Sequence, residues 1–318
     1  MYPASLLLDF LEASPLLQEI DIEITGRISY EDVPPDRVLV LPCVKGFCLT
    51  ISSNSDGWEL ATYLSCPSAD CAAVLLRPDH FGPNIPEDIY PPSLQLDAIT
   101  CQYMTGAVDA VELKLEVDNG HLCAGIVLRS SNKATFGLHY THPIGRSGNI
   151  NTTLAEKIGS DLFSRACRVI RDHSDLGNVR HLCVQGGGLL FGDLKLATDD
   201  VGKLLGSVGP LEKLELNDCD LRPYLDTFLE TSLFPDAIRS TSFPPIKALT
   251  ISDPIQSLSD DEVYAAALVE LAKSQHTRGV PFEQVTLRPP VPSRVVEELR
   301  LSINTVVCGE ILSDGDGD

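Results

Sequence analysis

The residues best suited to chemistry in this sequence lie in small clusters, and each cluster fails a spacing test. His139 and His142 form H-x-x-H in a segment that alternates like a strand. Alternation sends them to opposite faces, which is wrong for two ligands of one metal. Cys43 with Cys48, and Cys66 with Cys71, are both C-x4-C with no histidine pair nearby, so neither matches a structural zinc site. Gly186-Gly187-Gly188 follows a strand pattern, as a phosphate loop would. However, Phe191 stands where the third glycine of G-x-G-x-x-G belongs, and no Gly-Lys-Ser/Thr occurs. A flexible turn is the reading that remains. Asp314, Asp316 and Asp318 begin like a calcium loop that has no residues left to close it. Ser147 lacks the G-x-S-x-G elbow. His173 and His276 each end a helical pattern, where a cation suits the helix dipole. No nucleophile, base and oxyanion-hole set emerges. The sequence therefore predicts no catalytic residue, no metal and no cofactor.

The elements that would position any functional residue follow one repeated grammar. A helical pattern comes first, then a short β-type run. The clearest copy is VGKLLGSVGP followed by LEKLELNDCDL. Leu211, Leu214, Leu216, Cys219 and Leu221 fill the leucine-rich-repeat template L-x-x-L-x-L-x-x-N/C-x-L. Leu214 and Leu216 lie two apart and share one face of a strand, while Glu215 points to the other. Cys219 takes the slot whose side chain bonds backbone groups at the strand end. Val201, Leu204, Leu205 and Val208 repeat at helical spacing and can cover the strand from behind.

Weaker copies run along the chain. Helices are predicted over 6–13, 58–64, 94–104, 155–172, 222–229 and 260–275. They alternate with strands around Ile20, Phe47, Val74, Val111, Leu182, Leu249 and Val285. In the second half the motifs start at 179, 211, 246 and 282, steps of 32, 35 and 36 residues. The segment near 118–150 departs from this pattern. LCAGIVLRS and ATFGLHYTH read as a β-hairpin inserted into the array. Capping boxes at Ser259 and Thr153 mark helix starts, and proline pairs fall between units.

One strand and one helix cannot bury their own apolar faces, but stacked neighbours can. The fold expected is α/β: an irregular leucine-rich-repeat-like solenoid, with a parallel sheet on the concave side and helices on the convex side. Residues 1–312 form this unit, and 313–318 form an acidic tail.

The net charge is −21, from 24 basic and 45 acidic residues. A field of that sign repels phosphate backbones and favours a basic partner. No run of Lys or Arg exceeds two residues, so nucleic-acid binding is not expected. The N-terminus has no basic region, and Asp9 and Glu12 interrupt its apolar run, so no secretory signal is expected. No segment supplies the roughly 18 apolar residues of a membrane span. The ten cysteines lie mostly in apolar runs and read as reduced, buried thiols. The expected location is cytoplasmic or nuclear.

Five blocks in this order, LLLDFLEASPLLQEIDI, VPPDRVLVLPCV, SVGPLEKLELNDCDLRPYL, FPPIKALTIS and VELAKSQHTRGVPFEQVTLR, resemble the F-box proteins with leucine-rich-repeat-like C-terminal regions of mushroom-forming fungi. In that family an F-box precedes the repeats and docks onto the adaptor of a cullin-type ubiquitin ligase. No F-box pattern is visible here. The resemblance therefore implies target recognition, as in a ubiquitin-ligase substrate receptor, more than adaptor docking.

The outward strand positions are the candidate protein-binding residues: Asp21, Glu23, Glu112, Lys114, His181, Gln185, Glu215, Asn217, Thr250, Gln284, Thr286 and Arg288. The competing readings are an α/β hydrolase, which needs a deep pocket holding a His–carboxylate pair, and a decayed paralogue without activity.

Overall fold

Residues that alternate with period two become strands, and the strands line up in one sheet. A computed structural model describes residues 2–52, 59–77, 107–118, 121–131, 134–146, 149–150, 152–172, 178–186, 194–219, 245–252, 262–288, 290–309 and 311–312, with Tyr103, Leu221, Tyr224 and Thr227. The expected tail at 313–318 lies outside the described residues. So do most of the helices expected over 94–104 and 222–229, and Ser147, His173, Gly187, Gly188 and Ser259.

The main sheet has eleven strands. They are β1 (Glu19–Ile24), β2 (Gly46–Ile51), β3 (Cys71–Leu76), β4 (Val108–Asp118), β5 (His121–Ser130), β6 (Thr135–Pro143), β7 (His181–Gly186), β8 (Leu211–Asn217), β9 (Ile246–Ser252), β10 (Gln284–Leu287) and β11 (Thr305–Cys308). Their spatial order is β1-β2-β3-β6-β5-β4-β7-β8-β9-β10-β11. Only β5 runs antiparallel to its neighbours; all other pairs are parallel. The sheet is open, with β1 and β11 as its edges. Six helices are described: α1 (Ala4–Glu12), α2 (Glu59–Thr62), α3 (Thr152–Asp172), α4 (Leu194–Ser207), α5 (Glu262–Thr277) and α6 (Ser293–Arg300). The chain is thus α/β with a large, mostly parallel sheet. No described helix is long and apolar enough to cross a membrane.

Register explains the core. One row crosses all eleven strands as Ile22, Leu49, Val74, Leu138, Ile126, Leu113, Val184, Leu216, Ile251, Leu287 and Cys308. A second row, from Ile20 through Phe47, Phe136, Leu182 and Leu214 to Val306, runs beside it in the same register. The apolar faces of α1, α4, α5 and α6 join the same cluster through Leu8, Leu204, Leu268 and Val296. Each fully buried leucine contributes about 2 kcal/mol relative to exposure, so a continuous row is what the sheet cannot lose. Tyr103 adds a clasp. Its ring lies 4.9 Å from Phe47 and 6.0 Å from Phe136, and its hydroxyl donates to the Ala61 carbonyl at 3.2 Å.

Three details refine the sequence reading. The predicted hairpin exists, but it is laid inside the sheet: β5 and β6 fill the two positions between β4 and β3. Gly186, the first of the three glycines, is held by more than a turn. Gly186 ends β7 with φ +81°, and a Cβ there would overlap the Leu115 carbonyl oxygen on β4. Only glycine meets both conditions. The last unit, α6 with β11, was not foreseen. Its strand has a half-exposed pattern because it is an edge.

Cys219 does the work expected of its slot. Its thiol has the Val184 carbonyl at 3.2 Å and the Asn217 carbonyl at 3.1 Å as acceptors. It links the end of β8 to β7.

Candidate functional site

The second face of the sheet carries the alternate residues of every strand, and no described helix packs on it. Its central row reads Asp21, Cys48, Ala73, Gly137, Val127, Glu112, Cys183, Glu215, Thr250, Thr286 and Val307 from β1 to β11. One step toward the strand starts lie Glu19, Gly46, Cys71, Thr135, Arg129, Ala110, His181, Lys213, Ala248, Gln284 and Thr305. One step toward the strand ends lie Glu23, Thr50, Leu75, His139, Gly125, Lys114, Gln185, Asn217 and Ser252. Arg288, just past β10, continues that last row.

All twelve predicted residues lie on this open face, but the structure divides them. Eight (His181, Gln185, Glu215, Asn217, Thr250, Gln284, Thr286 and Arg288) line one shallow groove of about 640 Å³ over β7 to β10. Glu112 borders a smaller recess of about 200 Å³ that shares His181 and Glu215 with the groove. Lys114 lies one row higher on β4. Asp21 and Glu23 sit on the far edge strand, outside both depressions.

Ion pairs organise the groove end of the face. Arg129 reaches Glu112 at 2.6 Å, Lys114 reaches Glu116 at 2.9 Å, and Arg180 reaches Glu212 at 3.0 Å. Lys213 pairs with Glu215 on its own strand. His181 stands 3.7 Å from Glu212. Each carboxylate here has a cation of its own. The local surface is balanced, although the whole chain is strongly acidic.

The titratable groups are tuned toward neutrality. Burial, then Glu215 and Glu112, push the Cys183 thiol up to about 11. It stays protonated near neutral pH, where a thiol is a poor nucleophile. Burial and then Lys114 hold His139 below the usual histidine range, against the opposing pull of Glu112 and Glu116. Its ring lies flat because its neighbours are glycines. A Cβ at Gly125 would come 2.8 Å from Nδ1, and one at Gly137 2.5 Å from Nε2. His139 therefore faces outward on a strand yet is half-buried. Among the described residues no group of three His, Cys, Asp or Glu is placed to hold a metal.

Several face residues escaped the sequence reading. Lys213 lies two before Glu215, so strand alternation alone puts it on the same face. Arg129 sits on the hairpin and joins the face only because that hairpin lies within the sheet. Ser252 continues the Gln185–Asn217 row; its signal was the position two after Thr250.

No family model, no curated protein and no solved structure matches the chain.

Proposed function

We propose that this chain is a non-catalytic protein-binding module, a leucine-rich-repeat-like solenoid whose open sheet face holds the partner over β4 and β7 to β10. The observation that carries this reading is the division of labour between the two faces. One set of alternate residues forms two unbroken apolar rows. The other set presents paired charges, hydroxyls and amides along a shallow groove. A groove of this shape suits an extended surface contact better than an enclosed small molecule. The steps of 32, 35 and 36 residues between units and the position of Cys219 support the solenoid reading. The resemblance stated above supports a target-recognition role of the kind found in a ubiquitin-ligase substrate receptor.

Charge reversal at one recess position and one groove position tests the proposal. Glu112→Lys with Glu215→Lys places new cations beside Arg129 and Lys213, turning two attractions into repulsions. Co-purification of a partner from cells should fall at least about tenfold, since the new cations set like charge against a basic partner, and like charges facing across an interface cost several kcal/mol. Capture at full strength by a folded double variant would refute the binding face.

A further inference from the structure

We infer that the strand-end corner of the groove, formed by Arg288, Ser252 and Asn217, is a binding site for the carboxylate of an acidic peptide segment. This rests on the reading of the open face as a partner surface, and it names which chemistry the partner brings.

Arg288 differs from the other cations that line the groove and its recess. Arg129, Lys114, Lys213 and Arg180 each hold a carboxylate of the chain. Arg288 lines the same groove, and among the described residues it has no acidic partner. A guanidinium is a planar fork of donors that matches a carboxylate with two parallel bonds.

The neighbouring strand supplies the second observation. Ser252 lines the same groove on β9 and is only 4% exposed. Its hydroxyl has no hydrogen-bond partner among the described residues. A buried hydroxyl left without a partner is unfavourable unless a ligand completes it. Asn217 comes next in register, opposite Ser252. Its amide directs one N–H weakly toward the Cys183 sulfur at 3.5 Å, and among the described residues the other N–H has no side-chain partner. Ile251 pairs with Leu287, and the Arg288 N–H bonds the Ile251 carbonyl at 3.0 Å. The ladder thus brings Arg288 alongside Ser252. One guanidinium, one hydroxyl and one amide stand side by side across three adjacent strands, lining the groove at the carboxyl ends of parallel strands, where open α/β sheets commonly receive ligands.

A carboxylate fits better than a phosphate. The donor set carries one positive charge, and the rest of the molecule repels the second charge of a phosphate. That long-range repulsion is screened over about 8 Å at physiological ionic strength, so the local donors decide binding of a single charge. The inference also sharpens the expectation of a basic partner: at this corner the partner contributes an acidic group.

The test is a side-chain NMR titration of the full chain with sodium acetate, at constant ionic strength set with chloride. Saturable shifts are expected at the Arg288 Nε–H and the Asn217 amide, and absent at the Arg129 Nε–H. Arg288→Gln should abolish the shift of the Asn217 amide. Ser252→Ala should weaken binding about tenfold, as expected for a lost hydrogen bond to a charged group, and Arg288→Lys should restore part of the response. Equal shifts at all arginines, or an unchanged response in Arg288→Gln, would overturn the site. Inorganic phosphate outcompeting acetate would overturn the carboxylate assignment. Partner capture lost in the Glu112/Glu215 double variant with the acetate response intact supports both readings. Capture retained with that response intact sinks only the protein-binding reading.

Discussion

The open face has two ends built on the same register with opposite side-chain choices. Over β2, β3 and β6 most outward positions are small or apolar, Gly46, Cys48, Cys71, Ala73, Leu75 and Gly137, with Thr50, Thr135 and His139 among them. Among the described residues no ion pair forms there. The carboxylates at that end, Glu19, Asp21 and Glu23, lie along the edge strand. Glu23 accepts a hydrogen bond from Ser52 at 3.2 Å. A row of charge on an exposed edge discourages pairing with another strand. Over β4 and β8 the outward positions carry paired charges, over β7, β9 and β10 they carry mostly hydroxyls and amides, and the groove lies over β7 to β10. The rows beneath both ends are equally apolar. The difference teaches that inward residues set the fold throughout, while outward residues guard an edge at one end and, in the proposed function, meet the partner at the other.

Substitutions can break this comparison, and the largest effect belongs to neither end. Gly186→Ala meets backbone of β4 that cannot move aside, at a positive φ. It should cost at least about 3 kcal/mol, read as a lower denaturant midpoint; a cost under about 1 kcal/mol would mean β7 ends differently. Gly137→Ala at the small-residue end displaces the His139 ring and should cost about 1–3 kcal/mol. The matching change at the groove end, Thr250→Ala, should stay within about 0.5 kcal/mol. Equal costs would erase the distinction between a packed end and a receptive one.

Ser252→Ala should act in the opposite direction. It removes a buried hydroxyl that has no partner, so unfolding free energy should rise by about 1 kcal/mol. A loss of stability would show that the hydroxyl is already satisfied.

The smallest effect is a pH slope. His139 binds a proton less readily folded than unfolded, because of burial and Lys114. As pH falls through its ordinary value of 6.5, the unfolded chain gains the proton first. The stability present above that pH is then progressively lost. Thermal melts of the native chain should show this slope below pH 6.5, and His139→Asn should flatten it.

Much of the architecture was legible from single residues. Leu214, Glu215 and Leu216 announce one inward–outward–inward triplet, and the same triplet recurs in every long strand. The pattern failed where burial is incomplete. Val306 and Val307 on the last strand are only partly covered, so the usual leucine signature is missing. The hairpin was legible as two strands but not as sheet members. Its pairing with β3 spans more than sixty residues of sequence, and no local pattern encodes such a distance. For the proposed site, strand parity put the twelve candidate residues on one open face, and the structure places them there. Parity could not find which cation would lack a partner, since Arg288 and Lys213 look alike until ion pairs are drawn. Nor could it show that Ser252 would be buried with a free hydroxyl.

The most direct measurement places a photo-crosslinking amino acid at Thr250, on the groove, and separately at Glu270, on the outer surface of α5. After irradiation in cells, Thr250 should yield a discrete adduct with a second protein, an adduct lost when Arg288→Gln is added, and Glu270 should not. Adducts from Glu270 alone, or the same adducts from both positions, would contradict recognition by the open face.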